Sequence, residues 1–154
     1  MALKKGDKAP DFAGSDQNEK PIKLSDYKGK KLILFFYPKD NTSGCTAEAC
    51  NLRDNFSELT KKGYEVLGIS PDSAKSHVGF ISKHQLPYHL IADTEKDILA
   101  KFGVWGEKKL YGKSYMGVLR TTFIINEKGI IEEILSKVDT KNHAEQILNN
   151  ITNK

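Results

Sequence analysis

The chain has 154 residues, 38% hydrophobic and 29% charged, with 24 Lys and Arg against 20 Asp and Glu for a formal net charge of +4. That length suits a single domain, 1–154, and the spread of 7 Phe, 6 Tyr and 1 Trp argues against disorder. The longest wholly apolar run, Leu32 to Tyr37, is far short of the roughly 20 residues that span a bilayer, so no membrane partner is expected. Met1 to Lys8 lacks the apolar stretch of a signal peptide, and the expected compartment is the cytoplasm. Lysine pairs at Lys4-Lys5, Lys30-Lys31, Lys61-Lys62 and Lys108-Lys109 scatter the positive charge, so no specific nucleic-acid partner is expected. With 2 Cys, a disulfide scaffold and zinc sites built on three or four cysteines are excluded, while a site of two cysteines and two histidines stays arithmetically open.

In chain order, Ala9 to Gly29 has turn residues and weak alternation, and reads as a short hairpin or an irregular cover. Lys31 to Tyr37 is a continuous apolar run stopped by Pro38, as a buried central strand would be. Ala47 to Lys62 predicts a helix, because Cys45, Ala49, Leu52, Phe56 and Leu59 fall on one face and Gly63 stops it. Glu65 to Ser70 is a second strand, and Ser73 to His84 a helix with Val78 and Ile81 inward. Tyr88 to Ala92 is a third strand, after which Asp93-Thr94 caps a helix that ends at Phe102 before Gly103. Arg120 to Asn126 and Ile130 to Leu135 form an antiparallel hairpin, and Thr140 to Ile151 a final helix with Ala144, Ile147, Leu148 and Ile151 inward. Alternating strands and helices predict an α/β fold, a central mixed sheet flanked by helices on both faces.

Both cysteines lie in one segment, Cys45 and Cys50. Cys45 follows a strand and a loop and opens a helix, where unpaired N–H groups and the positive helix end favour thiolate over thiol. It also continues the apolar stripe of that helix, which a small buried residue with no chemistry would do equally well. If both cysteines are helical, five residues separate them by about 140° and about 7.5 Å of rise, roughly 8–9 Å between Cα atoms. A disulfide wants about 4.4–6.8 Å. Either the two never meet, or the helix must unwind for them to bond.

Pro38, Thr42 and Cys45, in the spacing P-x-x-x-T-x-x-C, resemble the active-site signature of the peroxiredoxins. The string Tyr37 to Cys50 (YPKDNTSGCTAEAC) is similar to the Q-type, or bacterioferritin-comigratory-protein, subfamily; Gly117 to Ile125 (GVLRTTFII) and Gly6 to Phe12 (GDKAPDF) extend the likeness over essentially the whole chain. The resemblance implies a thioredoxin-like fold and a thiol peroxidase. It implies Cys45 as the nucleophile that becomes a sulfenic acid, and Cys50 as the resolving cysteine of an intramolecular disulfide. Hydrogen peroxide and organic hydroperoxides would be the substrates, with thioredoxin or a related dithiol as reductant and a monomer as the working form. No cofactor is implied, because peroxide carries the oxidising equivalents.

Each remaining motif residue has a physical part to play in that scheme. Arg120 would stabilise the thiolate and the leaving oxygen, with Glu48 orienting its guanidinium, or else serve as a buried salt-bridge partner of Glu48. Thr42 would offer a hydroxyl to thiolate or peroxide, or else cap the helix. Pro38 would wall off the site, or merely end the strand. Ser43 stands where the family usually has proline, so the loop should be freer. His77, His84, His89 and His143 are dispersed without metal spacing and read as surface or half-buried residues. Gly112-Lys113-Ser114 imitates the end of a phosphate loop, but Glu107 occupies its first glycine position. A thiol–disulfide oxidoreductase is disfavoured because four residues separate the cysteines rather than two.

Overall fold

A computed structural model describes residues 3–152. In order they form β1 (Ala13–Ser15), β2 (Pro21–Lys23), a 3-10 turn over Leu24–Tyr27, β3 (Lys31–Phe36), α1 (Ser43–Asp54), α2 (Phe56–Lys61), β4 (Tyr64–Ser70), α3 (Ala74–His84) and β5 (His89–Ala92). Then follow α4 (Asp97–Lys101), β6 (Trp105–Leu110), β7 (Lys113–Val118), β8 (Thr121–Ile125), β9 (Ile131–Leu135) and α5 (His143–Thr152). The central sheet has the order β5-β4-β3-β8-β9. Strand β3 runs parallel to β4, and β4 to β5, while β8 is antiparallel to β3 and to β9. The expected mixed sheet and β8–β9 hairpin are therefore present.

The side chains of β3 alternate between two cores. Leu32, Leu34 and Phe36 join Ile98, Leu99 and Phe102 of the α4 region on one face. Ile33, Phe35 and Tyr37 join Cys45, Leu52, Phe80, Ala144 and Ile147 from α1, α3 and α5 on the other. With both faces covered, β3 has no polar face to show, and its sequence reads as an unbroken apolar run. Helices do lie on both faces, unevenly: one short helix and the β1–β2 cover on the first, four helices on the second. In β4, Gly68 is required by close approach, since a Cβ there would lie 2.6 Å from Leu90 Cδ2 and 2.8 Å from Phe35 Cζ.

Several expectations need correction. The helix expected over Ala47–Lys62 begins at Ser43 and breaks at Asn55 (φ −110°, ψ 11°), whose Nδ2 donates to the Asn51 carbonyl at 2.9 Å. A side chain competing for a helical acceptor is a known helix breaker. In α3 the buried positions are His77 and Phe80; Val78 is 46% exposed rather than inward. Helix α4 starts at Asp97, although Asp93 still serves it by accepting the Leu99 N–H at 2.8 Å. The β6–β7 hairpin was not expected. Among the described residues it pairs only with itself, around Tyr111-Gly112 at φ 52° and 77°, and its glycines and exposed lysines hide the strand alternation.

Candidate active site

The position of Cys45 follows from strand order. Helix α1 begins just beyond the carboxyl end of β3, and Cys45 is its third residue. Strand β8 runs antiparallel to β3 with Thr121 opposite Phe36, so β8 starts where β3 ends. Arg120, one residue ahead of β8, therefore arrives beside the first turn of α1. Its Nη2 lies 3.2 Å from Cys45 Sγ and its Nη1 donates to Glu48 Oε1 at 2.6 Å. Glu48, one turn after Cys45 on α1, is fully buried. A Cβ at Gly44 would stand 3.3 Å from Arg120 Nη2, so the glycine admits the guanidinium.

The remaining sequence candidates sit around this trio. Thr42 is the exposed N-cap of α1; its hydroxyl donates to the Lys39 carbonyl at 2.9 Å and caps no amide of the helix. Pro38 is half-buried at the exit from β3, and Ser43 is the first residue of α1. Cys45 is buried, Cys50 is half-buried, and both are free thiols on an unbroken α1. An intact α-helix keeps residues five apart roughly 8–9 Å from each other at Cα, too far for a bond.

Burial and neighbouring charge oppose each other at Glu48 and Arg120. Burial pushes the Glu48 carboxyl up to about 7, against the downward pull of Arg120. For Arg120, burial works against the charge, but Glu48 and Cys45 outweigh it and hold the guanidinium above its ordinary value. Next to Glu48 stands a residue expected to be at the surface or half-buried. His143 is fully buried, with Nε2 2.7 Å from Thr122 Oγ1 and Nδ1 2.9 Å from Gln146 Oε1. His143, Ile147 and Ile151 recur at steps of four, and that periodicity would have revealed its burial.

A second buried polar group lies under the loop that leads to Cys45. Asp40 Oδ1 accepts the Tyr37 hydroxyl at 2.6 Å, and Oδ2 accepts Ser76 Oγ at 2.8 Å and faces His77 Nδ1 at 2.7 Å. His77 Nε2 is 2.9 Å from the Ile91 carbonyl. The Asp40 N–H donates to Asp72 Oδ2 at 2.8 Å, and that oxygen also accepts Ser70 Oγ at 2.6 Å. Asp40, Asp72 and His77 gather three ligand-type atoms within 4.8 Å. The 2.7 Å between His77 and Asp40 is a hydrogen-bond distance, whereas two ligands of one tetrahedral zinc stand about 3.3 Å apart. These residues clamp the loop to α3 and are not arranged as a metal centre. A cleft of about 290 Å³ near Tyr27, Leu32 and Gly129 lies at the opposite end of β3 and contains none of the candidate residues.

Known proteins with the same pattern are numerous. The AhpC/TSA family matches residues 5–134. The chain is 46% identical over 152 residues to a putative peroxiredoxin Bcp of Buchnera aphidicola, covering 99% of this chain and 96% of that one. It is 43% identical over 147 residues to peroxiredoxin Bcp of Escherichia coli, covering 96% and 94%. Among solved structures, a cysteine-to-serine variant of Xylella fastidiosa PrxQ superposes with a TM-score of 0.92 at 30% identity over 99% of this chain and 98% of that one. A Xanthomonas campestris bacterioferritin comigratory protein, described for its alkyl peroxide reduction, gives 0.86 at 32% identity over 92% and 90%. Fold, first turn of α1 and full-length likeness agree, and the chain belongs to the AhpC/TSA family, with the peroxiredoxins of the Bcp or Q type.

Proposed function

We propose that this protein, a thiol peroxidase by family, reduces hydrogen peroxide and organic hydroperoxides at Cys45 and is recycled through Cys50 by thioredoxin or a similar dithiol. The observation that carries the assignment is the Arg120 guanidinium, bonded at once to Cys45 Sγ at 3.2 Å and Glu48 Oε1 at 2.6 Å. A permanent cation held at the sulfur favours the thiolate, and the same cation stands where charge develops on the leaving oxygen. The thiolate attacks the hydroxyl oxygen of the peroxide. The O–O bond breaks, Cys45 becomes a sulfenic acid, and the alkoxide or hydroxide takes a proton to leave as alcohol or water. The bond from Nη1 to Glu48 keeps the guanidinium turned toward the sulfur, Pro38 shields the pocket, and Thr42 presents its hydroxyl oxygen at the mouth.

Cys50 then attacks the sulfenic sulfur, releasing water and forming the Cys45–Cys50 disulfide. Helical cysteines five apart are roughly 8–9 Å from each other at Cα, beyond the reach of about 4.4–6.8 Å, so α1 must unwind over its first turns. An external dithiol reopens the bond by exchange, which demands a reducing compartment and supports the cytoplasm as the place of action. Among the described residues no helix is long and apolar enough to cross a membrane. The chain works in this reading as one domain and as a monomer.

Peroxide consumption coupled to thioredoxin and its reductase tests the assignment. Cys45→Ser is expected to abolish turnover, and retained turnover in that variant overturns it. Cys50→Ser is expected to complete one stoichiometric reduction and then stall.

A further inference from the structure

Among the described residues Glu48 Oε2 has no hydrogen-bond partner, although it is buried. It lies 3.5 Å from His143 Nε2, and both side chains are fully shielded from solvent. The tautomer of His143 can be read from Gln146. The Gln146 amino group donates to the Lys137 carbonyl at 3.0 Å, and its Oε1 accepts the Asp139 N–H at 2.8 Å. The atom 2.9 Å from His143 Nδ1 is thus an oxygen, which needs a proton on Nδ1. In the neutral ring Nε2 then has only a lone pair, and that lone pair accepts the Thr122 hydroxyl at 2.7 Å.

An ionised Glu48 would turn a second acceptor toward that lone pair. It would also compete with the Cys45 thiolate for a single guanidinium, leaving two buried anions on one cation. Such an imbalance is costly in a low-dielectric site. One proton between Glu48 and His143 cures both faults. A Glu48 O–H then shares the Nε2 lone pair with the Thr122 hydroxyl across the gap, and thiolate, Arg120, Glu48 and His143 come to neutrality together.

We propose that Glu48 and His143 share one proton when Cys45 is a thiolate, and that His143 is a positioning residue which thereby sets how much of the Arg120 charge Glu48 leaves to Cys45. This rests on Cys45 being the reacting thiolate. Burial raises Glu48 to about 7 and lowers His143, so the proton sits on Glu48 Oε2. The titratable neighbours are Cys45 on α1, Arg120 ahead of β8, Tyr88 ahead of β5 and Asp139 ahead of α5. Arg120 draws the proton from both partners, Asp139 supports it on His143, and the Tyr88 phenol is held well above its usual range by burial and by Glu48. As pH rises through neutrality the pair loses its proton, Glu48 claims Arg120, and reaction with peroxide slows.

Stopped-flow rates with peroxide against pH should therefore show a fall on the alkaline side of neutrality, absent from Glu48→Gln whatever the absolute rate of that variant. In His143→Gln the amide N–H donates to Oε2 and favours the carboxylate, moving the step down by about one pH unit. A merely structural His143 would lower the rate equally at every pH. The carboxyl carbon of Glu48, labelled and followed by NMR in the reduced protein, should titrate near neutrality and shift downward in Cys45→Ser, where the neighbouring anion is gone. A carboxyl that does not titrate there, or that titrates in Cys45→Ser and His143→Gln just as it does in the wild type, overturns the proposal. If His143→Gln does not fold, Thr122→Val replaces it; freeing the Nε2 lone pair should move the step upward, and an unmoved step overturns the proposal. The NMR titration needs no peroxide. Failure of wild-type protein to consume peroxide would sink the assignment of function, and the shared proton would still be decided separately.

Discussion

Two buried polar groups flank Cys45, and they are satisfied to different degrees. Around Asp40, both carboxylate oxygens, both ring nitrogens of His77 and the nearby hydroxyls all have partners. Around Glu48, one oxygen is bound to Arg120 and the other has no hydrogen-bond partner among the described residues. A saturated network in a low dielectric is stiff, since any movement breaks a hydrogen bond that water cannot replace. A group with an open place can gain or lose a proton without rearranging its neighbours. The first suits a loop that must hold still while the adjacent helix unwinds; the second suits a site whose charge must change during reaction.

Breaking the saturated group should have the largest effect on folding. Asp40→Ala leaves His77 buried without its partner and is expected to lower stability by about 3–5 kcal/mol, read by urea denaturation. A loss below about 1 kcal/mol would erase the distinction between the two groups. On the unsaturated side, Arg120→Met should reduce the rate constant with peroxide by about 10²–10³-fold, measured in single turnover so that recycling does not interfere.

Glu48→Gln sharpens the comparison through pH. The Glu48 carboxyl is raised on folding from 4.5 to about 7. The folded state therefore holds this proton more tightly than the unfolded one, and wild-type stability falls as pH climbs through that window, levelling off above it. The loss attributable to this group is about 3 kcal/mol, and the neutral amide escapes it. Denaturation at the two ends of the window should show Glu48→Gln gaining on the wild type by that amount at the higher pH.

The smallest effect belongs to the joint between the two groups. Ser43 is the first residue of α1 and follows Thr42 at φ −80°, ψ 155°, a backbone that accepts a following proline. Ser43→Pro should stabilise the protein by about 0.4–1 kcal/mol through the unfolded state. It should also slow formation of the Cys45–Cys50 disulfide, followed by loss of free thiol after one equivalent of peroxide.

Much of this was legible in the sequence because it is local. The apolar run of β3, the β8–β9 turn and the Cys45 signature are written in neighbouring residues, and so is the five-residue spacing that demands unwinding. What escaped depended on partners far along the chain. His77 and His143 read as surface or half-buried residues because a lone histidine is polar, yet each is fully buried on hydrogen-bond partners from other elements: Ile91 and Asp40 for one, Thr122 for the other. Val78 lost its expected inward place because those bonds let His77 take it. The β6–β7 hairpin escaped because glycines and lysines mask its alternation.

By itself, the sequence determined the chemistry available: a cysteine at a helix start, a second one five residues on, an arginine and a glutamate. Tertiary structure decided how that chemistry is tuned. Antiparallel pairing of β8 on β3 delivers Arg120 to Cys45 across 75 residues, and packing of α5 against α1 sets His143 beside Glu48. Charges and lone pairs act through space, over a few ångströms, so their balance exists only once the chain has closed around them.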